Sequence, residues 1–274
     1  MEIAELFRYG FIQRALVAGS FIALLCSILG VVLVLRRLSL IGDGLAHVTF
    51  GSVAVGLVLK VYPLYVSIPL VMLGSLGILK LTERARIYGD AAIGVVSSLG
   101  IAGGVLLASR AGGFNVDLFS YLFGNILAIS NAEVVTAIGL SVLVLLTVIF
   151  YYHEIFSVTF DEEFAKVSGI NTERLNTLLV LLTAITVVLT MKVVGIMLTS
   201  SLLILPAVTA FQVARGFRSS MLFASAVALL SVFLGIFLSA LLNLPSGATI
   251  VLLNLLFFVL AFLFKSIRRS AGRK

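Results

Sequence analysis

Apolar runs long enough to cross a bilayer succeed one another along almost the whole chain, with only short charged or Gly/Pro-marked breaks between them. A transmembrane helix needs about 20 largely apolar residues, and such runs lie near 14–35, 43–59, 64–81, 91–109, 133–152, 176–191, 195–213, 220–242 and 247–264. The chain is therefore expected to be an all-α polytopic membrane protein with about nine spans, eight to ten being compatible with the breaks. Charged residues make up 11% of the 274, against about 25% in soluble domains. Apolar residues make up 61%, too many for one water-soluble core to absorb. The spans and their loops fill the length as a single transmembrane domain, residues 1–274, with no room for a separate catalytic domain.

The lone cysteine, Cys26, sits in an apolar run, which excludes disulfide frameworks and thiolate metal clusters and leaves a small packing residue. The net charge of +7 is read as topology, not as affinity for nucleic acid, because cytoplasmic loops of membrane proteins collect Lys and Arg. With the C-terminus inside, nine spans place 14 of the 19 Lys and Arg residues on the cytoplasmic side and put the N-terminus outside. A tenth span at 117–130 would invert the first half and still leave 13 inside. That segment, Asp117 to Ser130, is short for a span and reads as re-entrant or interfacial. The acidic N-terminus, MEIAELFRYG, does not resemble a cleaved signal peptide.

Ionisable groups at membrane depth cost several kcal/mol and mark partners or water-filled paths. Asp43 and His47, in IGDGLAHVTFGS, stand at i and i+4 where the second span begins, so one helix face carries both. Carboxylate and imidazole suit a divalent cation. One chain supplies two donors, and a symmetric homodimer would supply four. Helix capping by Asp43, with His47 bonded to a backbone carbonyl, fits the same spacing, as does proton transfer. Gly42, Gly44, Ala46, Gly51 and Ser52 around the pair permit close helix approach.

The remaining polar features are read more simply. His153 lies at the cytoplasmic end of the fifth span as a solvated interfacial residue, and Asp90 reads as a helix cap. Asp117 and Asn125 flank the re-entrant segment, where capping, partner contact and an entrance lining all fit. Pro206 must break a backbone hydrogen bond and kink the seventh span, with Ser200, Ser201 and Thr209 nearby to satisfy freed groups. The Arg268–Arg269 cluster reads as an interfacial anchor. The longest polar stretch, 160–176, is a cytoplasmic loop in which Asp161, Ala165 and Gly169 recur every four residues. A short helix there would have an acid at its positive end, a glycine at its stop and small residues that let another surface approach. No GxxxxGK[ST] phosphate cradle occurs, so ATP-driven work would need a motor on another polypeptide.

The segment LVLRRLSLIGDGLAHVTFGSVAVG, Leu33 to Gly56, closely resembles the second-span signature of zinc/manganese permeases among the ABC importers. The resemblance continues through DAAIG at Asp90–Gly94, YLFGNIL, FDEEFAKVSGI and VGIMLTSSLLILPAVTA. It covers most of the chain, in the family's order and spacing. It implies a fold related to type II importer permeases, lacking the first of the ten spans usual in the cobalamin and siderophore relatives. It also implies a dimeric permease in the cytoplasmic membrane that moves zinc, manganese or iron inward by alternating access. A separate ATPase would drive it and an extracytoplasmic metal-binding protein would feed it. On this resemblance Asp43 and His47 match the family's metal-coordinating pair, and the Asp161–Gly169 loop resembles its coupling helix. The metal is then the cargo, and no permanently bound cofactor is implied. His153 departs from the family, standing where many relatives carry Lys. The rival classes are a proton-coupled secondary metal transporter, which usually shows more intramembrane acids and paired half-repeats, and a membrane enzyme, for which no positioned nucleophile accompanies the pair.

Overall fold

The computed structural model describes residues 9–84, 88–110, 116–124 and 129–271. The chain forms α1 (Gly10–Leu35), α2 (Ile41–Val58), α3 (Pro63–Arg84), α4 (Gly89–Arg110), α5 (Val116–Phe123), α6 (Asn131–Phe150), α7 (Tyr152–Phe160), α8 (Glu162–Val167) and α9 (Thr172–Val193). A 3-10 turn (Ile196–Leu198) then leads into α10 (Thr199–Val213), α11 (Phe217–Leu242) and α12 (Ser246–Ala271). No strand occurs among the described residues.

Eight of these helices are long and apolar enough to cross a membrane: α1, α2, α3, α4, α6, α9, α11 and α12. The seventh expected span, 195–213, is the 3-10 turn followed by the 15-residue α10. At 1.5 Å per residue that helix is about 22 Å long, less than the roughly 30 Å hydrocarbon thickness. The re-entrant reading of 117–130 corresponds to the eight-residue α5, which stops at Gly124; Asn125 lies outside the described residues. The fifth span ends at Phe150 and is followed by the separate α7.

Helices α1 and α9 form the inner pillars, with about seven-tenths of their span residues buried, whereas α4 and α12 bury about a fifth. This division follows composition. The inner helices carry small and hydroxyl residues that satisfy themselves: Thr183, Thr186 and Thr190 each return a hydroxyl to the carbonyl four residues back, at 2.6–2.8 Å. Outer helices instead present large apolar side chains outward, such as Leu99 and Leu106 on α4 or Leu252 and Phe264 on α12. That outward face is correct for lipid and wrong for water.

Helix α2 is locked between α3 and α4 and also meets α9 and α10. Glycine makes the α2–α4 contact possible: a Cβ on Gly100 would stand 2.7 Å from the His47 carbonyl oxygen, and one on Gly51 2.6 Å from the Gly100 carbonyl oxygen. Two backbones thus touch with no side chain between them, the close approach that small residues permit in lipid. Both α3 and α10 contain an interior proline, Pro69 and Pro206. The first was not anticipated from sequence. In α10, the Thr209 hydroxyl returns to the Leu205 carbonyl at 2.6 Å, while Ser200, expected to serve the kink, is directed elsewhere.

Candidate metal path and cytoplasmic docking helix

Asp43 lies in the first turn of α2, and it does not cap the helix. The N-cap is Leu40, with no side-chain bond to the helix end. The Asp43 carboxylate turns along the helix face toward His47, with Oδ2 3.7 Å from Nε2. The side chains are 51% and 29% exposed respectively, so both open onto the flank of the chain and not into its core. The other Asp43 oxygen, Oδ1, accepts from the Ser200 hydroxyl at 3.5 Å.

Ser200 reaches this position because the chain breaks between α9 and α10. Gly195 takes a φ of +92°, and the 3-10 turn that follows resets the chain direction. This brings the first turn of α10 beside the first turn of α2, where a Cβ on Gly42 would meet the Leu203 side chain at 2.7 Å. The sequence reading gave Ser200 no part in the Asp43 site. The LTSSLL segment carries no local signal of a partner so far away in sequence.

Among the described residues, none of the other polar side chains singled out from the sequence bonds to this pair. His153 is exposed on α7, its ring stacked edge-on against Tyr152. Asp90 is exposed in the first turn of α4, where its charge suits the positive helix end. Asp117 belongs to α5. Cys26 is buried, with Sγ 3.3 Å from Thr190 Oγ1. Among the described residues no group of three or more His, Cys, Asp or Glu side chains gathers in one place. Among the described residues Asp43 and His47 are therefore two candidate donors and not a complete metal shell.

In the polar loop between α7 and α9, Asp161 is the N-cap of α8: its Oδ1 accepts from the Phe164 N–H at 2.9 Å. The helix ends at Ser168, and Gly169 turns the chain at a φ of +89°. Ala165 is fully buried. The small Ala165, expected to let another surface approach closely, packs inward, and the surface that approaches it is the chain's own bundle. The outward face carries Phe164 and Val167, which are 66% and 89% exposed. Beside α8, burial lowers the Arg36 pKa from its ordinary value, and the Glu162 carboxylate opposes that shift.

Residues 8–265 match the ABC 3 transport family. The chain belongs to that family. Among its relatives is the manganese transport system membrane protein MntC of Halalkalibacterium halodurans, 30% identical over 95% of this chain and 89% of that protein. Another is the high-affinity zinc uptake system membrane protein ZnuB of Haemophilus influenzae, 34% identical over 92% of this chain and 96% of that protein. The solved structure described as PsaBC from Streptococcus pneumoniae in complex with Fab superposes with a TM-score of 0.86 at 30% identity, covering 95% of this chain and 94% of that one. Within the ABC 3 transport family the chain is thus a multi-span, nearly all-helical membrane permease subunit.

Proposed function

We propose that this chain, as one transmembrane permease domain, imports a divalent metal ion, manganese or zinc, across the cytoplasmic membrane by alternating access. A separate ATP-binding-cassette ATPase drives it, an extracytoplasmic metal-binding protein supplies it, and it works as a homodimer with its C-terminus inside. The observation that carries this reading is the Asp43–His47 spacing. Two ligand atoms on one tetrahedral cation, each about 2.1 Å from the metal, stand about 3.4 Å apart, and the carboxylate and imidazole atoms here stand 3.7 Å apart. Both are also exposed on the flank of a membrane helix, a costly arrangement unless water or a second copy faces them. A second copy brings two more donors and completes four-coordination.

In the proposed cycle, metal delivered from outside enters between the two copies and is held by the two Asp43 carboxylates and two His47 imidazoles. Ser200 steadies each carboxylate through its hydroxyl. ATP-driven movement of α8, docked by Phe164 and Val167 on the ATPase, then tilts the bundle and opens the site inward. The deciding experiment is uptake of manganese or zinc into liposomes that hold this chain and its ATPase, with loaded binding protein outside. ATP-dependent uptake that collapses in folded Asp43→Ala and His47→Ala variants is the expected result. Uptake driven by a proton gradient without the ATPase would replace the importer with a secondary transporter.

A further inference from the structure

A single guanidinium ties the short cytoplasmic helix to the membrane bundle. Arg36, the residue that closes α1, donates from Nη2 to Glu162 Oε2 at 3.0 Å and from Nη1 to Asn176 Oδ1 at 2.8 Å. Asn176 Nδ2 then donates to Glu162 Oε1 at 2.8 Å. Three residues, from the end of α1, the start of α8 and the beginning of α9, close a ring of charge-assisted hydrogen bonds. The Arg36 side chain is 12% exposed and that of Glu162 46%, so water screens the arginine end of this ring less than it would an open surface pair. Among the described residues it is the ion pair that joins α8 to a membrane helix.

On its other side Arg36 is coupled just as tightly to α2. Only Arg37–Leu40 separate the two helices, and this linker is folded on itself. Leu38 N–H returns to the Leu33 carbonyl at 2.8 Å, Arg37 N–H to the Val34 carbonyl at 3.1 Å, and Ile41 N–H to the Leu38 carbonyl at 3.1 Å. Arg37 takes a φ of +59° to make the turn, a conformation that costs a non-glycine residue about 1 kcal/mol. From Glu162 to Asp43 the path therefore runs through a filled guanidinium fork, a closed turn and one turn of helix, with no slack segment. A planar guanidinium holding two acceptors at fixed angles transmits displacement where a flexible single-point contact would not.

We propose that Arg36 is a positioning residue that carries movement of α8 to α2, so that engagement of α8 from the cytoplasm re-aims Asp43 and His47. This rests on the importer reading given above. It does not require Arg36 to touch metal, nucleotide or the ATPase.

The test measures ATP hydrolysis and manganese uptake together, in the complete transporter in liposomes, so that the number of ATP consumed per metal ion is known. In Arg36→Ala, hydrolysis should continue while uptake falls roughly tenfold, raising ATP per metal by about that factor, which lies within the range for coupling through one network. Arg36→Lys should recover only part of the coupling. The exchanged pair Arg36→Glu with Glu162→Arg should recover more of it than either single change. Should Arg36→Ala fail to assemble, Glu162→Gln at its half-exposed position removes the charge and should raise ATP per metal roughly threefold. An unchanged ATP-to-metal ratio in whichever of the two variants assembles would overturn the proposal. So would a parallel fall of hydrolysis and uptake, which marks a merely structural part. Wild-type uptake that needs no ATP overturns the importer reading itself, and is seen before any variant is compared.

Discussion

At the scale of residues, an i, i+4 spacing of acid and imidazole in an apolar helix marks Asp43 and His47 as a candidate pair, and capping fits the same spacing. Geometry removes the capping alternative, because the helix N-cap is Leu40 and the carboxylate points along the face to His47. Ser200 was not legible, since the sequence marks the break between 176–191 and 195–213 but not the helix that the following turn meets, and the approach to Asp43 Oδ1 depends on that packing. Ser200 and Asp43 should differ in rank. Loss of a group that orients a metal ligand typically costs about 10–100-fold in affinity or activity. Ser200→Ala should therefore weaken uptake by about tenfold, and Asp43→Asn by well beyond about 100-fold, measured as initial rates of manganese uptake at equal protein. Equal rates for Asp43→Asn and wild type would remove the carboxylate from the path.

Elements were readable wherever a single local pattern decides them. Long apolar runs gave the eight long spans, and an acid, a small residue and a glycine at four-residue intervals gave α8 with its Asp161 cap and Gly169 stop. Breaks inside the bilayer were harder, because their cause lies in a distant backbone. Gly195 faces Phe123–Gly124 at the end of α5, while Gly247 at the start of α12 meets Val194 and Phe123, so that chain segments from three regions meet with no side chain between them. Nothing near Gly195 in sequence announces those partners. A methyl group there would strike the Phe123–Gly124 backbone and would also hold alanine at a φ of +92°. Gly195→Ala should accordingly destabilise the bundle by at least about 1–3 kcal/mol, visible as a lower thermal midpoint in detergent. Gly139→Ala, where a Cβ meets nothing within 4 Å, should leave the midpoint in place. Gly100→Ala is a sharper probe of function. Its methyl group would press on the His47 carbonyl and Val48 Cα, each 2.7 Å away, and should reduce uptake more than its effect on stability accounts for. Uptake that falls only in proportion to folded protein would show that the α2–α4 contact merely packs.

For the whole molecule, the decisive question is whether one chain or two forms the metal path. A single copy leaves Asp43 half exposed on a membrane helix, and the described residues bring no third ligand to it. An open carboxylate at that depth is costly against lipid and useful against a second carboxylate only if a cation lies between them. Under the proposed importer, a second copy facing the first would set two such pairs across one path. The nine-span reading puts the termini on opposite sides, so direct fusion of two copies would force one of them to invert. Two differently tagged copies, purified by both tags in succession, avoid that difficulty. If the four donors act together, particles with one wild-type copy and one Asp43→Ala/His47→Ala copy should lose nearly all uptake, because two remaining donors hold a cation far more weakly than four. If each copy carries its own path, the same particles should retain about half the wild-type rate, since one of two independent sites survives. A retained half would separate the path from the dimer axis and leave the outward faces of Asp43 and His47 to be explained by water alone.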